Sequence, residues 1–287
     1  MELPTVQELE TKRGAARRAY LFYGLANVVV LLLLISSQLK PALVALVLSL
    51  VYYFFLARPD IKGFASAFRR ANIGTAMQKH LEGLVYHGKA GMDPALLVKD
   101  QLLPVKPGRS CLTYHRITGA GKGMELELSD ATFQVESDND KARAQFLSGC
   151  WVRVKLDHGT GQHVRLVSRM MVSDGLQRPY FASHTQFQPI EWGSERVDRE
   201  FCSYALEGQL PDVSESVLGR LMDLTEYTHG SVAMGIEDDV VSFMICHRFV
   251  SAKDPGLKAP VTQEMLELDP LPELEYMMKV ATACRRM

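Results

Sequence analysis

The stretch YLFYGLANVVVLLLLISSQLKPALVALVLSLVYYFFLA, residues 20–57, decides the fold, and Lys40 is its single charged residue. It contains two apolar runs, residues 20–37 and 41–57, joined by a short polar turn. At about 1.5 Å of rise per residue, each run forms a helix roughly 26 Å long, slightly shorter than a typical hydrocarbon core of about 30 Å. The pattern therefore predicts a transmembrane helical hairpin over residues 20–57.

Two other interpretations of this stretch are a core segment of a soluble domain and a cleaved secretory signal. Two fully apolar helices joined by a few residues would need a very large soluble body to cover them on every side. The sequence KRGAARR, residues 12–18, resembles the basic start of a signal peptide. However, the leader is long, no small-residue cleavage site follows, and a second apolar run begins at once. We therefore expect the hairpin to be retained.

Charged and aromatic residues beside the two runs predict the orientation of the hairpin. Basic residues precede the first run and follow the second, whereas the turn contains only Lys40. The positive-inside rule then places both termini in the cytoplasm, and the lipid bilayer of a bacterial inner membrane is the predicted partner of this multi-pass anchor. Tyrosine and arginine favour the headgroup level of a membrane. The predicted membrane-anchoring residues are Arg17, Arg18, Tyr20, Tyr23, Tyr52, Tyr53 and Arg58.

Polar residues inside the two runs are few, and Asn27 is the main one. An intramembrane amide can form a hydrogen bond with a neighbouring helix, so Asn27 is a candidate helix–helix contact, within the hairpin or with a second copy. The alternative interpretation is a tolerated polar residue close to the interface. Neither run contains an acid or a base, and transport of ions or protons is therefore disfavoured.

Charge is unevenly distributed along the 287 residues, although the formal net charge is only -1. Residues 1–70 hold nine Lys and Arg against four Asp and Glu, which is a net charge of +5, so the remaining residues carry -6. A basic segment beside an apolar stretch favours an anionic membrane surface as partner, and it disfavours nucleic acid. Five separate cysteines without a CxxC pair are typical of a protein in a reducing compartment.

The sequence predicts four segments. Residues 1–19 form a basic cytoplasmic segment, residues 20–57 the hairpin, residues 58–90 a juxtamembrane amphipathic helix, and residues 91–287 a cytoplasmic domain. Pro59 is expected to end or bend the second apolar helix. The predicted fold class is α+β, with a two-helix transmembrane hairpin followed by a cytoplasmic domain of antiparallel strands and helices, because strands follow strands in the pattern.

Period-two alternation predicts the strands of the cytoplasmic domain. GMELELSDATFQVES, residues 123–137, alternates apolar and acidic side chains. WVRVKLDHGTGQHVRLVSRMM, residues 151–171, predicts two strands that pair around a glycine-containing turn. SVAMGI and VVSFMICHRF, residues 231–236 and 240–249, flank an acidic turn and predict a hairpin.

Two helices are predicted in the last third of the chain. The first lies within QLPDVSESVLGRLMDLTEYTHG, residues 209–230, with Asp212 as its N-cap and an apolar stripe on one face. The second has Asp269 as its N-cap and Pro270 at its first position. Its apolar stripe comprises Leu271, Leu274, Met278 and Ala281.

Three stretches resemble a known family. REFCSYALEGQLPDVSESVLGRLMDL, residues 199–224, carries most of the resemblance, followed by HGSVAMGIEDDVVSFMI, residues 229–245, and TYHRITGAGKGMELELSD, residues 113–130. With the two N-terminal spans, they resemble the bacterial membrane proteins grouped as domain of unknown function family 3137, over about residues 20–255. The resemblance implies a membrane-anchored cytoplasmic domain without an assigned activity, and it supplies no catalytic residue.

Motifs that would indicate chemistry are weak in this sequence. GAGKG, residues 119–123, lacks the first glycine and the final Ser or Thr of a phosphate-binding loop, so a hairpin turn is the better interpretation. His158 and His163 bracket a turn without metal-ligand spacing. Asp238 and Asp239 are consecutive, so their side chains point apart. The sequence therefore predicts no catalytic residue, no cofactor and no metal site.

These patterns favour a non-enzymatic cytoplasmic module that binds or organises another protein, or associates with itself, at the inner membrane. The alternative is an enzyme or small-ligand-binding module whose site is assembled from distant residues of the α+β domain. A pocket lined by several titratable groups would favour the alternative. Candidates for such a pocket are His115, His158 and His184 with acidic neighbours.

Overall fold

The computed structural model describes residues 3–105, 111–135, 145–247 and 256–287. The chain divides into two compact units. The first comprises Met1–Met77 and Lys253–Pro270, and the second comprises Gln78–Ala252 and Leu271–Met287. Two long apolar helices precede a domain of antiparallel strands and helices, so the predicted α+β class is confirmed.

Nine α-helices and nine strands lie in the described part of the chain. The helices are α1 (Val6–Ile35), α2 (Leu39–Tyr52), α3 (Arg58–Met77), α4 (Pro94–Lys99), α5 (Asp174–His184), α6 (Glu195–Glu200), α7 (Glu215–Tyr227), α8 (Gln263–Glu267) and α9 (Glu273–Cys284). The strands are β1 (Glu82–His87), β2 (Cys111–Gly121), β3 (Met124–Val135), β4 (Gln145–Lys155), β5 (His163–Ser168), β6 (Phe187–Ile190), β7 (Phe201–Leu206), β8 (Val232–Glu237) and β9 (Val240–Ile245).

The first unit is built on the antiparallel pair α1 and α2, which are joined by a tight turn. Ser37 in this turn has a φ of 58°. Helix α1 begins well before the apolar run because Thr5 and Glu8 form a capping box, in which each side chain accepts from the other residue's backbone N–H. The N-terminal basic segment is therefore a continuation of the first apolar helix.

Pro59 does not end the second helix, which continues from Leu39 to Met77. A π-helical turn over Tyr53–Ala57 lies directly before the proline. Proline lacks an N–H and crowds the carbonyl four residues earlier, and a π turn accommodates both effects within a helix. Helix α3 ends at Met77, so the predicted helix over residues 58–90 is longer than the observed one. Residues 82–87 form β1 instead, because pairing with β2 prevails over local helical spacing.

A returning segment near the C-terminus completes the core of the first unit. Leu9 of α1 and Phe64 and Phe68 of α3 pack with Val261 and Leu266. The Asn72 side chain of α3 donates hydrogen bonds to the carbonyls of Met265, Leu266 and Leu268 at 2.9–3.1 Å. Residues on α1 and α3 thus hold the segment that contains α8.

Replacing Asn72 with alanine is expected to weaken the docking of α8 by about 1–3 kcal/mol, because three carbonyls lose a donor. Amide hydrogen exchange over residues 263–267, measured on the full chain in detergent micelles, should become faster. Ser66→Ala, at an exposed position of the same helix, is the matched control. Equal exchange in both variants would show that Asn72 does not hold this segment.

The second unit contains one antiparallel sheet in the order β1-β2-β3-β4-β9-β8-β5-β7-β6. The predicted strand over residues 123–137 corresponds to β3, and the predicted acidic-turn hairpin corresponds to β8 and β9, within the described residues. Lys122 and Gly123 connect β2 to β3 with φ angles of 50° and 76°. Positive φ at both central residues is the geometry of a type I′ turn, so the last two residues of GAGKG form a hairpin turn, as predicted, and residues 119–121 belong to β2.

Strands β4 and β5 do not pair with each other, so the predicted hairpin over residues 151–171 is wrong. The β8–β9 hairpin lies between them: β4 pairs with β9, and β5 pairs with β8. The loop after β4 is held by that hairpin, since Leu156 N–H donates to the Asp239 carbonyl at 2.7 Å and Gly161 N–H donates to Asp238 Oδ1 at 3.0 Å. The connection from β4 to β5, residues 156–162, is long enough to cross β9 and β8, which lie between them in the sheet.

Helices cover both faces of the sheet. Helices α4 and α5 contribute Leu97, Tyr180 and Phe181 to a core that includes Trp151. Alternate strand residues point to the opposite face, where α7 packs against α9 and α9 contacts β9. Both sheet faces are therefore buried over much of their area.

The two predicted N-caps in this region are wrong. Ser214 precedes α7, while the Asp212 N–H donates to Gln162 Oε1 at 2.9 Å, outside the helix. Helix α9 begins at Glu273 after Pro272 rather than at Asp269. The residue before a proline is restricted away from helical backbone angles, which delays the helix start past Pro272.

A buried carboxylate connects several elements of the second unit. Asp100, which follows α4, is 4% exposed. It accepts hydrogen bonds from Trp151 Nε1 at 3.2 Å, Arg153 Nε at 3.0 Å and Ser242 Oγ at 2.9 Å. These donors lie on β4 and β9, so the Asp100 side chain connects the end of α4 to two neighbouring strands by hydrogen bonds.

Candidate functional site

The surface of the hairpin is the first candidate functional site. Among the described residues, 21 of the 29 large hydrophobic side chains that are exposed lie between Tyr20 and Leu56. Soluble proteins do not expose a continuous apolar surface of this kind. Both apolar helices are long enough to cross a membrane, and this supports association of the chain with a membrane.

The predicted anchoring residues come together at one end of the hairpin. The rings of Tyr23 and Tyr53 are 4.8 Å apart, which places the start of the first apolar run beside the end of the second. Arg58 lies over the ring of Phe54 at 5.6 Å, so its cation also belongs to this cluster. Arg17, Arg18, Tyr20 and Arg58 are exposed, and Tyr52 is half-buried. Lys40 lies in the first turn of α2, at the opposite end of the hairpin.

Asn27 forms a hydrogen bond within its own helix. Its Nδ2 donates to the Tyr23 carbonyl at 2.7 Å, one turn earlier on α1. The side chain is partly exposed, and a contact between Asn27 and another helix stays a prediction.

A cavity of about 510 Å³ in the second unit, here called the arginine cavity, is lined by Arg169, Arg178, Glu191, Asp198, Cys202 and Tyr204 among others. Asp174 lies beside it and forms ion pairs with Arg169 and, at 3.7 Å, with Arg178. The Cys202 thiol donates to Asp174 Oδ1 at 3.0 Å. Sequence reasoning missed this cluster because its members lie on α5, α6, β7 and two loops.

The protonation states of the groups in this cluster disfavour nucleophilic chemistry. Burial, with a contribution from the hydrogen bond to Asp174, raises the pKa of the Cys202 thiol to about 11. Burial alone would raise the pKa of Asp174, but the hydrogen bond from Cys202 and the charge of Arg169 lower it below the ordinary value. Near neutral pH the carboxylate is charged and the thiol is protonated, which is the unreactive form.

Cys202 is expected to react with iodoacetamide at pH 8 roughly 200-fold more slowly than an ordinary thiol, because the raised pKa leaves a small thiolate fraction. Its labelling rate, followed by mass spectrometry of the full chain, should rise as the pH approaches 11. Asp174→Asn removes one cause of the raised pKa and should shift this rise to lower pH. Glu191→Gln, in the same cavity, is the control, and an equal shift in that variant would contradict the assigned cause.

A second cavity of about 620 Å³, here called the histidine cavity, is lined by His163, His184, Gln101, Phe187 and Glu237 among others. His163 Nδ1 lies 3.4 Å from Glu237 Oε1. The buried Arg165 also pairs with Glu237, and its guanidinium lies 4.4 Å from the centre of the Phe187 ring. Several titratable groups therefore meet in one pocket, as the alternative hypothesis of a ligand site requires.

The three histidines named from the sequence lie in different places. His184 lines the histidine cavity. His115 Nδ1 lies 2.9 Å from the Tyr86 hydroxyl, and His158 Nδ1 lies 3.0 Å from Asp157 in an exposed turn. In the part of the chain that the structure describes, no three His, Cys, Asp or Glu side chains converge as metal ligands would.

Comparisons with known proteins give little further information. No protein-family model matches the chain, and no curated protein matches it. The crystal structure of the mycobacterial trehalose monomycolate transport factor A, TtfA, is similar with a TM-score of 0.30 and 12% identity, over 74% of this chain and 95% of that chain. A likeness at this TM-score carries no argument about function.

Proposed function

We propose that this protein is a bacterial inner-membrane protein of domain of unknown function family 3137, with both termini and the α+β domain in the cytoplasm. In this proposal it has no enzymatic activity and binds or organises another protein at the membrane surface. The observation that carries the proposal is the exposed apolar hairpin with its aromatic and basic residues at one end.

The orientation rests on the distribution of charge along the hairpin. Arg17, Arg18 and Arg58 lie at the same end as the Tyr23–Tyr53 contact, and Lys40 is alone at the other end. Basic residues are retained on the cytoplasmic side of a membrane, and tyrosine rings favour its interface. Free cysteines on the second unit fit a reducing compartment.

One support for the non-enzymatic role is the state of the titratable groups in the arginine cavity. The Asp174 carboxylate forms ion pairs with Arg169 and Arg178, and the Cys202 thiol is protonated near neutral pH. A nucleophile requires a lowered pKa or an adjacent base, which is the reverse of this arrangement.

Thiol labelling of intact cells tests the orientation. A Ser37→Cys variant places a thiol in the turn, and the native Cys246, which is exposed, serves as the internal control on the second unit. A membrane-impermeant maleimide should label residue 37 in intact cells and Cys246 only after permeabilisation. Labelling of Cys246 in intact cells, with protection of residue 37, would overturn the orientation.

Purification in nanodiscs tests the binding role. The full chain should carry a stoichiometric protein partner or assemble with itself after crosslinking in cells. A monomer without any bound protein would contradict the proposal.

A second candidate function, binding of a small ligand, is favoured by the histidine cavity. Thermal-shift screening of the full chain in detergent against polar metabolites tests it. A metabolite that raises the Tm of the wild type but not that of His184→Ala would support this function, and an equal shift in both proteins would exclude the cavity as the site.

A further inference from the structure

A group of basic side chains lies at the end of the hairpin where Tyr23 and Tyr53 meet. Arg18 precedes Tyr23 by five residues on α1. Arg58 follows Tyr53 by the same number on the antiparallel helix, so both arginines lie roughly 7 Å beyond the ring contact. The interfacial layer of a bilayer is roughly 5–8 Å thick on each side. Because tyrosine rings favour this layer, arginines about one layer thickness further out lie beside the polar headgroups.

Two basic residues share one face of α3. Arg58 and Lys62 are four residues apart, and both are exposed. The side chains of a helix lean toward its N-terminus, which for α3 is the end that joins the apolar run. Arg58 shows this direction, because its guanidinium lies 5.6 Å from the centre of the Phe54 ring, four residues earlier. Both cations are therefore directed toward the membrane surface.

The charges of this pair have the same sign, and like charges four residues apart on a helix repel each other. In α9, by contrast, the same spacing joins opposite charges, since Lys279 Nζ lies 2.8 Å from Glu275 Oε1. Among the described residues, no carboxylate forms an ion pair with Arg58 or Lys62. Asp60 is two residues from each, and residues at that spacing do not face each other on a helix. An anion placed between the two cations would remove their repulsion.

We propose that Arg58 and Lys62 bind the phosphate of an anionic phospholipid. A guanidinium can donate two parallel hydrogen bonds to a phosphate, and an ammonium supplies a compact positive charge beside it. Arg17 and Arg18 on α1 add two further exposed cations at nearly the same level. Asp60 is the only acid within residues 11–30 and 54–65, so a headgroup with net negative charge complements this surface better than a zwitterionic one.

The position of the pair makes a lipid the source of the phosphate. Arg58 directly follows the apolar run over residues 41–57, so the acyl chains of a bound lipid can stay in the hydrocarbon beside the hairpin while its phosphate reaches the cation. The inference rests on the proposed placement of the hairpin in the membrane. It adds a lipid class and a defined site, neither of which that placement alone requires.

Native mass spectrometry tests the site on the full chain, released from nanodiscs that contain equal amounts of phosphatidylglycerol and phosphatidylcholine. The wild type should retain phosphatidylglycerol in preference to phosphatidylcholine. Arg58→Gln and Lys62→Gln should each weaken the retention of phosphatidylglycerol by about 5-fold, the typical effect of one basic residue near an anionic surface. Both side chains are exposed, so neither change removes a packed contact of the core.

Arg70→Gln is the matched control, because it removes an exposed cation from the same helix. Arg70 lies twelve residues after Arg58, which is about 18 Å along the helix and more than a Debye length of about 8 Å at physiological ionic strength. This variant should retain phosphatidylglycerol as the wild type does. A second control separates a lipid from a free anion: inorganic phosphate should displace no more phosphatidylglycerol than chloride does at equal ionic strength.

Three outcomes would overturn the inference. Equal retention of the two lipids by the wild type, with the Ser37→Cys turn still labelled from outside, would refute the lipid site and leave the membrane placement intact. Equal weakening in Arg58→Gln and Arg70→Gln would show a general attraction between charges instead of a site. Displacement of phosphatidylglycerol by inorganic phosphate but not by chloride would assign the two cations to a free phosphate.

Discussion

Replacing Asp100 with alanine is expected to lower the free energy of unfolding of the α+β domain by about 3–5 kcal/mol, because it breaks a buried ion pair from one side. Arg153 would keep its charge beside the buried position without its partner, and Trp151 and Ser242 would lose the acceptor at 3.2 Å and 2.9 Å. Each donor left unpaired adds its own cost. Total stabilities of domains are of the order of 5–15 kcal/mol, so the variant should be close to unfolding at 25 °C.

Urea unfolding of the full chain in detergent micelles measures this effect. Tryptophan fluorescence reports on the sheet directly, because Trp151 is fully buried in the core beside Asp100. Asp223→Ala removes an exposed carboxylate from α7 and should change the free energy by less than about 0.5 kcal/mol. A change in Asp100→Ala as small as in this control would show that the buried network does not stabilise the domain.

A double variant separates the loss of the carboxylate from the penalty of the unpaired cation. Asp100→Ala with Arg153→Leu removes both charges, and replacing a buried pair by apolar side chains is often neutral or stabilising relative to breaking it. The double variant should therefore be more stable than Asp100→Ala alone. A double variant that is less stable, by the sum of the two single effects, would show that the residues act independently.

The parts of the fold that follow from local sequence were predictable. The apolar runs, the β2–β3 hairpin with its Lys122–Gly123 turn, and the β8–β9 hairpin depend on neighbouring residues. The pairing of β4 was not predictable in this way, because its partner β9 is about 90 residues away and periodicity does not identify partners. Asp100 likewise binds Ser242, 142 positions later in the chain.

The residues of the candidate sites were likewise predictable only in part. Composition and charge identified Tyr23, Tyr53 and Arg58, which the structure brings to one end of the hairpin. The arginine and histidine cavities depend on the order of the strands in the sheet. Local sequence patterns do not determine that order.

Replacing Val47 with arginine is expected to disfavour membrane insertion of the second apolar helix by about 2.5–3.5 kcal/mol, a change of roughly 100-fold in the insertion equilibrium. Val47 lies near the middle of the run over residues 41–57 and is 56% exposed, so in a bilayer its side chain faces hydrocarbon rather than α1.

Two controls distinguish the position of the charge from its presence. Val47→Leu keeps the site apolar and should behave as the wild type. Phe55→Arg adds the same charge at the aromatic and basic end of the hairpin, where the side chain is 76% exposed and reaches the headgroup level, so it should be tolerated. Alkaline extraction of membranes gives the inserted fraction of each chain. A charge costs more at position 47 than at position 55 only if the apolar helices cross the hydrocarbon core. If Val47→Arg remains in the membrane as completely as Phe55→Arg, the helices therefore do not cross it.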